Sequence, residues 1–178
     1  MSLDAIKRRG GQFDPASIQY LDYSGCGVRT VANLEPCVCL RVLDLSKNKI
    51  NNGGCLPLVP MLRDLDLSDN LFHGFQGLEH LPSVRVLKMQ GNHIRDLAAL
   101  EPLRDMPTLK ALYLRDVHGG RANPICSHPA YQSTVFKLLP QLETLDGEHS
   151  LLRKAAQEVY RAEAEKAEGG VELPPSSP

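Results

Sequence analysis

Tryptophan is absent from this chain of 178 residues, and all aromatic residues together reach only 5% of it. Aliphatic side chains must therefore fill the core, and a 42% apolar content is enough to do so for one domain. Neither charge sign is in surplus, with 20 Lys+Arg against 21 Asp+Glu, which argues against a strongly electrostatic nucleic-acid binder. Long apolar runs are missing too, which excludes a membrane-spanning helix from the expected elements. Lys7, Arg8 and Arg9 are not followed by an apolar signal-type segment, so the expected setting is intracellular. The five cysteines (Cys26, Cys37, Cys39, Cys55, Cys126) are odd in number and irregular in spacing. They read as small apolar residues in a reducing compartment, not as a disulfide framework.

What is abundant is leucine, at 28 residues. The leucines repeat. Ile18-Gln-Tyr-Leu21-Asp-Tyr23, Leu40-Arg-Val-Leu43-Asp-Leu45, Leu62-Arg-Asp-Leu65-Asp-Leu67 and Val84-Arg-Val-Leu87-Lys-Met89 begin 22 residues apart. A fifth copy starts at Leu109 and carries Leu112 and Leu114; a final fragment starts at Leu142 and carries Leu145. Apolar residues at copy positions 1, 4 and 6, recurring at a fixed step, mark a solenoid in which each unit buries its face only against its neighbours.

The ninth position reads Cys26, Asn48, Asn70, Asn92 and then Val117. A chain that leaves a short strand and turns inward buries its own amide groups, which need partners. An asparagine amide supplies both donor and acceptor, so stacked copies line up into a ladder. Positions 11, 17 and 20 complete the periodic core, and that register places Cys37 in it. The Cys37-x-Cys39 pair then loses its appeal as a metal motif.

These features resemble the short, 22-residue class of intracellular leucine-rich repeat proteins. Asn123-Pro124-Ile125 followed by Tyr131 to Gly147 is similar to the C-terminal cap of that class, as carried by the acidic leucine-rich nuclear phosphoproteins and the A-prime protein of the U2 ribonucleoprotein. Two departures stand out: Gln132 where family caps carry arginine, and six extra residues, Val117 to Ala122, before Asn123. That insertion and the lead-in Lys7-Arg8-Arg9-Gly10-Gly11-Gln12-Phe13 narrow the resemblance to a small member of the class. The long acidic tail of the nuclear phosphoproteins is missing, so their histone-binding chemistry does not carry over.

Physically, the last repeat needs a plug for its open apolar end. Tyr131, Val135, Phe136, Leu138 and Leu139 have the spacing of an amphipathic helix, Pro140 stops it, and Asp146-Gly147 forms a terminating turn. A short helix through Leu3 and Ile6, with Phe13 beneath the first strand, is expected to close the other end. The fold class is then α/β: a curved leucine-rich-repeat solenoid with short parallel strands on its concave face, capped at both ends. Residues 1–17 form the N-terminal cap, 18–147 the repeats and C-terminal cap, 148–168 a C-terminal helix, and 169–178 a disordered Pro/Ser-rich tail.

Residues alternate along a strand, so positions 3, 5 and 7 are expected to face solvent on the concave side. Position 5 gives Asp22, Asp44, Asp66, Lys88, Tyr113 and Asp146; position 3 includes Tyr20, Val42, Asp64 and Val86; position 7 gives Ser24, Ser46, Ser68, Gln90 and Arg115. Position 2, at the leading edge, gives Gln19, Arg41, Arg63, Arg85 and Lys110. Stacked aspartates repel unless compensated. One reading neutralises them with the arginines in a surface ladder. The other has the acidic stripe receive a basic partner segment, anchored by Tyr20 and Tyr113. The partner-binding residues expected are Tyr20, Asp22, Asp44, Asp64, Asp66, Lys88, Tyr113 and Arg115.

Other chemistry falls away. Asp64-Leu-Asp66-Leu-Ser68 opens like a calcium loop, but Leu65 and Leu67 must be buried and no glycine or terminal glutamate follows at the required place. The six histidines lie mostly in loops, and Cys126-x-His128 is the one residual metal candidate. No phosphate loop, nucleophile elbow or H-E-x-x-H is found. The expectation is a protein-binding scaffold or adaptor without catalysis, cofactor, metal, membrane contact or small-molecule substrate, in the cytoplasm. The alternatives are a structural component of a ribonucleoprotein, touching RNA in the nucleus, and a subunit of a ciliary or cytoskeletal assembly.

Overall fold

Leu21, Leu43, Leu65, Leu87, Leu112 and Leu145 stand side by side across six parallel strands, one from each copy. The strands are β1 (Tyr20–Asp22), β2 (Val42–Asp44), β3 (Asp64–Asp66), β4 (Val86–Lys88), β5 (Ala111–Tyr113) and β6 (Thr144–Leu145). The computed structural model describes residues 1–56, 59–116 and 120–149. Most of the expected C-terminal helix, the whole tail and Val117 lie outside those residues. None of the six aligned leucines is more than 1% exposed, so each burial contributes on the order of 1.5–3 kcal/mol. Strands β1 to β5 are three residues long and β6 two, so one leucine per strand sets the register.

The opposite, convex side has little regular structure. It is built of bends and short 3-10 turns, at Gly53–Cys55 and Leu97–Asp105, with Pro102 inside the longer one. Its inward residues keep the period of the repeat. Ile50, Phe72 and Ile94, then Leu34, Leu56, Leu78 and Leu100, then Cys37, Val59, Leu81 and Leu103 are all buried in one continuous core.

The asparagine ladder is present and has four rungs. Asn48 Nδ2 donates to the carbonyls of Tyr23, Leu45 and Ser46, while its Oδ1 accepts the Cys26 and Val28 N–H groups. Asn70 repeats this on Leu45, Leu67 and Ser68, accepting from Ile50, and Asn92 on Leu67, Met89 and Gln90, accepting from Phe72. The fourth rung is Asn123, not the residue that register counting assigns. Its Nδ2 donates to Met89 and Leu114 carbonyls at 2.8 Å each, and its Oδ1 accepts the Ile94 N–H. Arg115 and Ala122 pair on either side of the insertion, and the chain resumes the repeat at Asn123. Cys26 also departs from expectation. No earlier repeat covers the first copy, so its side chain is exposed and its thiol donates to the Ser24 carbonyl at 3.2 Å.

Both ends are capped. Helix α1 (Leu3–Gly10) starts at Ser2, whose hydroxyl accepts the Ala5 N–H, and ends at Gly11 in the left-handed region. Ile6 is its one buried residue, and Arg9 locks the helix to β1 by donating to the Asp22 carbonyl at 3.1 Å and stacking over the Tyr23 ring. Phe13 is not beneath the first strand. It is 92% exposed, with the Lys7 ammonium over its ring, whereas Ile6 and Ile18 are fully buried.

At the far end α2 (Tyr131–Leu138) buries Tyr131 and Val135, with Leu139 following, against the last repeat. After the turn at Asp146-Gly147, β7 (Glu148–His149) folds back antiparallel onto β6. These two residues, expected to begin the C-terminal helix, instead extend the sheet by a seventh strand.

Candidate functional site

Positions 3 and 5 form the concave surface, as the alternation requires. Tyr20, Val42, Asp44, Asp64, Asp66, Val86 and Lys88 line a shallow depression of about 160 Å³ over β1 to β4. Tyr20 is 56% exposed at one end, and Tyr113 is half-buried four strands away. Asp64 and the two valines lie in one row across β2 to β4. The structure thus brings Tyr20, Asp44, Asp64, Asp66 and Lys88 together, with Asp22 and Tyr113 continuing the position-5 row on either side.

The aspartates have a structural use. Asp22 Oδ1 accepts the Ser24 N–H, Asp44 Oδ1 the Ser46 N–H and Asp66 Oδ1 the Ser68 N–H, at 2.8, 2.8 and 2.9 Å. Each carboxylate closes a turn over the residue two places on, which ends the strand and fixes the side-chain direction. The Ser24 N–H and hydroxyl, helped by the charge of Arg9, hold the Asp22 carboxyl below its ordinary range. These turns also pull position 7 inward: Ser46 and Ser68 are buried, contrary to the expectation that they face solvent, and Ser68 Oγ donates to Gln90 Oε1.

The arginine ladder does not form. Among the described residues the aspartate row has one ion pair, Asp66 with Lys88 at 3.5 Å, an exposed contact contributing about 0–1 kcal/mol. Arg41, Arg63 and Arg85 are exposed and form no ion pair among the described residues, while Lys110 pairs with Glu143 at 3.0 Å. Two rows of opposite charge run beside each other without neutralising each other.

The C-terminal end of the face is different. Asp146, assigned by counting to the position-5 row, is buried in a turn with φ 52°. Its Oδ1 accepts the Leu114 and Arg115 N–H groups, and its Oδ2 accepts the Tyr131 hydroxyl at 2.9 Å and meets Arg115 Nε at 3.2 Å. Arg115 also reaches Glu148, so it ties the cap to β5 and is half-buried at the edge of the surface. The terminating turn expected at Asp146-Gly147 is therefore present, whereas the assignment of Asp146 to the solvent-facing row is not met. Arg121, two residues before Asn123, spans Asp69 at 2.9 Å and Asp116 at 3.6 Å. It reaches across the copy that carries Gly91, whose positive φ and missing Cβ leave room for the Asp69 carboxylate.

The Cys126 and His128 pair is engaged elsewhere. Burial, with the Asp146 charge, pushes the Cys126 thiol up to about 11, and His128 Nδ1 accepts the Ala130 N–H. Among the described residues no three His, Cys, Asp or Glu side chains are placed to hold a metal ion. No helix among them is long and apolar enough to cross a membrane.

A curved parallel sheet, an asparagine ladder, two caps and a charged concave face define a capped repeat solenoid. The chain belongs to the leucine-rich repeat family, whose model matches residues 2–169. It is 45% identical over 148 residues to human leucine-rich repeat-containing protein 61, across 83% of this chain and 57% of that relative. The chain therefore spans little more than half the length of the curated relative it matches. The small-member resemblance of the N-terminal lead-in and insertion agrees with that match. A chain of the Drosophila melanogaster SNF/U2A′ complex superposes with a TM-score of 0.70 at 27% identity, covering 90% of this chain and 92% of that one. Internalin C2 of Listeria monocytogenes superposes with a TM-score of 0.58 at 21% identity, over 80% of this chain and 61% of that one, a likeness of fold. Leucine-rich repeat proteins are protein-interaction modules.

Proposed function

We propose that the chain is a non-catalytic scaffold or adaptor whose concave face captures a basic segment of a partner protein. The observation that carries this is the row Asp22, Asp44 and Asp66. Each carboxylate is oriented by its own turn, and among the described residues only Asp66 forms an ion pair, although the charge of Arg9 also acts on Asp22. Oriented carboxylates lose little side-chain entropy on meeting a cation, which favours recognition over stability as their use. Tyr20 and Tyr113 supply amphipathic rings at the two ends of the row, and Asp64 adds charge at its centre. Arg115, braced by Asp146 and Glu148, closes the row at its far end.

A lysine-rich peptide titrated into the labelled protein tests the assignment by amide chemical shift. Shifts are expected at Tyr20, Asp44, Asp64, Asp66 and Lys88. Shifts confined to the convex turns would overturn it.

A second reading draws on the likeness to a chain of the SNF/U2A′ complex across nearly the whole of both chains. In that reading this chain is a structural component of a ribonucleoprotein in the nucleus, not a cytoplasmic or ciliary adaptor. RNA co-purifying with the protein, released steeply by salt, would favour it.

A further inference from the structure

The flank that follows the C-terminal ends of the strands alternates in burial from residue to residue. Asn48, Ile50, Asn70, Phe72 and Asn92 are buried, and Lys47, Lys49, Leu71, His73 and His93 between and after them are exposed. One backbone bond per copy keeps the flank in step: the Lys49 N–H donates to the Val28 carbonyl, Leu71 to Ile50 and His93 to Phe72, each at 2.8 Å. The His73 and His93 rings lie 5.5 Å apart, so position 12 of one copy meets position 10 of the next. By the same register Arg29 stands beside Lys49, and both are exposed. Position 8 is left-handed in four copies, Gly25, Lys47, Asp69 and Gly91, with φ of 63, 56, 54 and 69°. Glycine adopts that conformation freely, and Asp69 is held in it by Arg121. Lys47 forms no ion pair among the described residues, so the fold does not account for a lysine at a strained position. In the copy beside it, Gly25 and Gly27 leave open space where side chains would otherwise stand. Residues 25–29 and 47–51 contain no carboxylate, and Arg29, Lys47 and Lys49 therefore border an open glycine shelf with no negative charge within it.

We infer that this flank is a second recognition surface, which takes an acidic segment of a partner protein: carboxylates on Arg29, Lys47 and Lys49, and an apolar side chain on Leu71. The surface is separate from the concave aspartate row and does not depend on it. Cations in neighbouring copies repel one another, and a carboxylate entering the shelf between them relieves that repulsion. Leu71, 41% exposed, belongs to the copy next to Lys49 and offers an apolar contact within reach of the same segment. That contact suits a peptide with mixed side chains better than a phosphate backbone. The near-equal totals of 20 basic and 21 acidic residues also provide no broad basic field of the kind that nucleic-acid binding draws on.

Fluorescence anisotropy of a short labelled glutamate-rich peptide with one central leucine, titrated with the full chain, tests this. The wild-type chain is expected to bind it. The triple variant Arg29→Gln, Lys47→Gln, Lys49→Gln should lose about tenfold or more in affinity, because three exposed charge contacts vanish together, and its melting temperature should be nearly unchanged. Leu71→Ser should weaken binding of this peptide and leave binding of an all-glutamate peptide unaltered. Asp44→Asn with Asp66→Asn, on the concave face, should bind the acidic peptide no more weakly than wild type. Undiminished binding by the triple variant, or no binding by the wild-type chain, overturns the inference. Tighter binding of an oligouridylate of equal charge overturns it too, since the flank would then be a nucleic-acid surface.

Discussion

Tyr131 donates its hydroxyl to Asp146 Oδ2 at 2.9 Å, and through that bond the capping helix α2 holds the turn that ends the last strand. Asp146 is buried, and its other oxygen receives two backbone N–H groups from the end of β5, so one carboxylate joins helix, strand and turn. Tyr131→Phe is expected to cost about 1–3 kcal/mol in urea unfolding, since it strips a partner from a buried charge.

The same bond has an alkaline signature. Burial, with the Asp146 charge, raises the Tyr131 phenol well above its ordinary value of 10.0, so the fold favours the neutral form. That stabilisation is complete below pH 10 and is lost as pH rises further. Thermal melts from pH 9 upward should show a falling limb that is shallower in Tyr131→Phe.

The ladder predicts a graded series. Asn70→Ala removes one bond from each of the Leu45, Leu67 and Ser68 carbonyls and strips the Ile50 N–H of its acceptor, and should cost about 2–4 kcal/mol. Asn70→Asp should be no better, because it turns a carboxylate oxygen toward three carbonyls. Asn123→Ala should match Asn70→Ala, whereas Cys26→Ala, at the exposed end, should stay within about 0.5 kcal/mol. Equal effects at Cys26 and Asn123 would contradict the placement of the fourth rung.

At the N-terminal cap the prediction separates two apolar residues. Ile6→Ala should cost about 2–5 kcal/mol because Ile6 is fully buried between α1 and the first repeat. Phe13→Ser should leave the melting temperature unchanged, since that ring is 92% exposed.

These residues also show where reading the sequence succeeded and where it stopped. A repeat of 22 residues carries its own register, so the position-4 leucines, the first three asparagine rungs and the buried positions 17 and 20 could all be placed by counting. Counting fails where the period is interrupted. Six inserted residues moved the fourth rung from position 117 to Asn123, although Asn-Pro after an apolar strand marked it. Phe13 was misplaced because apolar character says that a ring can be buried, not that a vacancy exists for it. The aspartate row was legible, but its turn-closing role and the idle arginines beside it were not. Both depend on which way a bend directs a side chain, and alternation along a three-residue strand does not determine that.

The most direct test of the central claim separates the charge of the aspartates from their turns. Asp44→Asn with Asp66→Asn keeps the oxygen that accepts the Ser46 and Ser68 N–H groups and removes the negative charge. In calorimetric titration with a basic helical peptide, the wild-type chain should bind and the double variant should lose about tenfold or more in affinity, with its melting temperature nearly unchanged. Undiminished binding by the variant would contradict the assignment of the concave acidic row as the partner site.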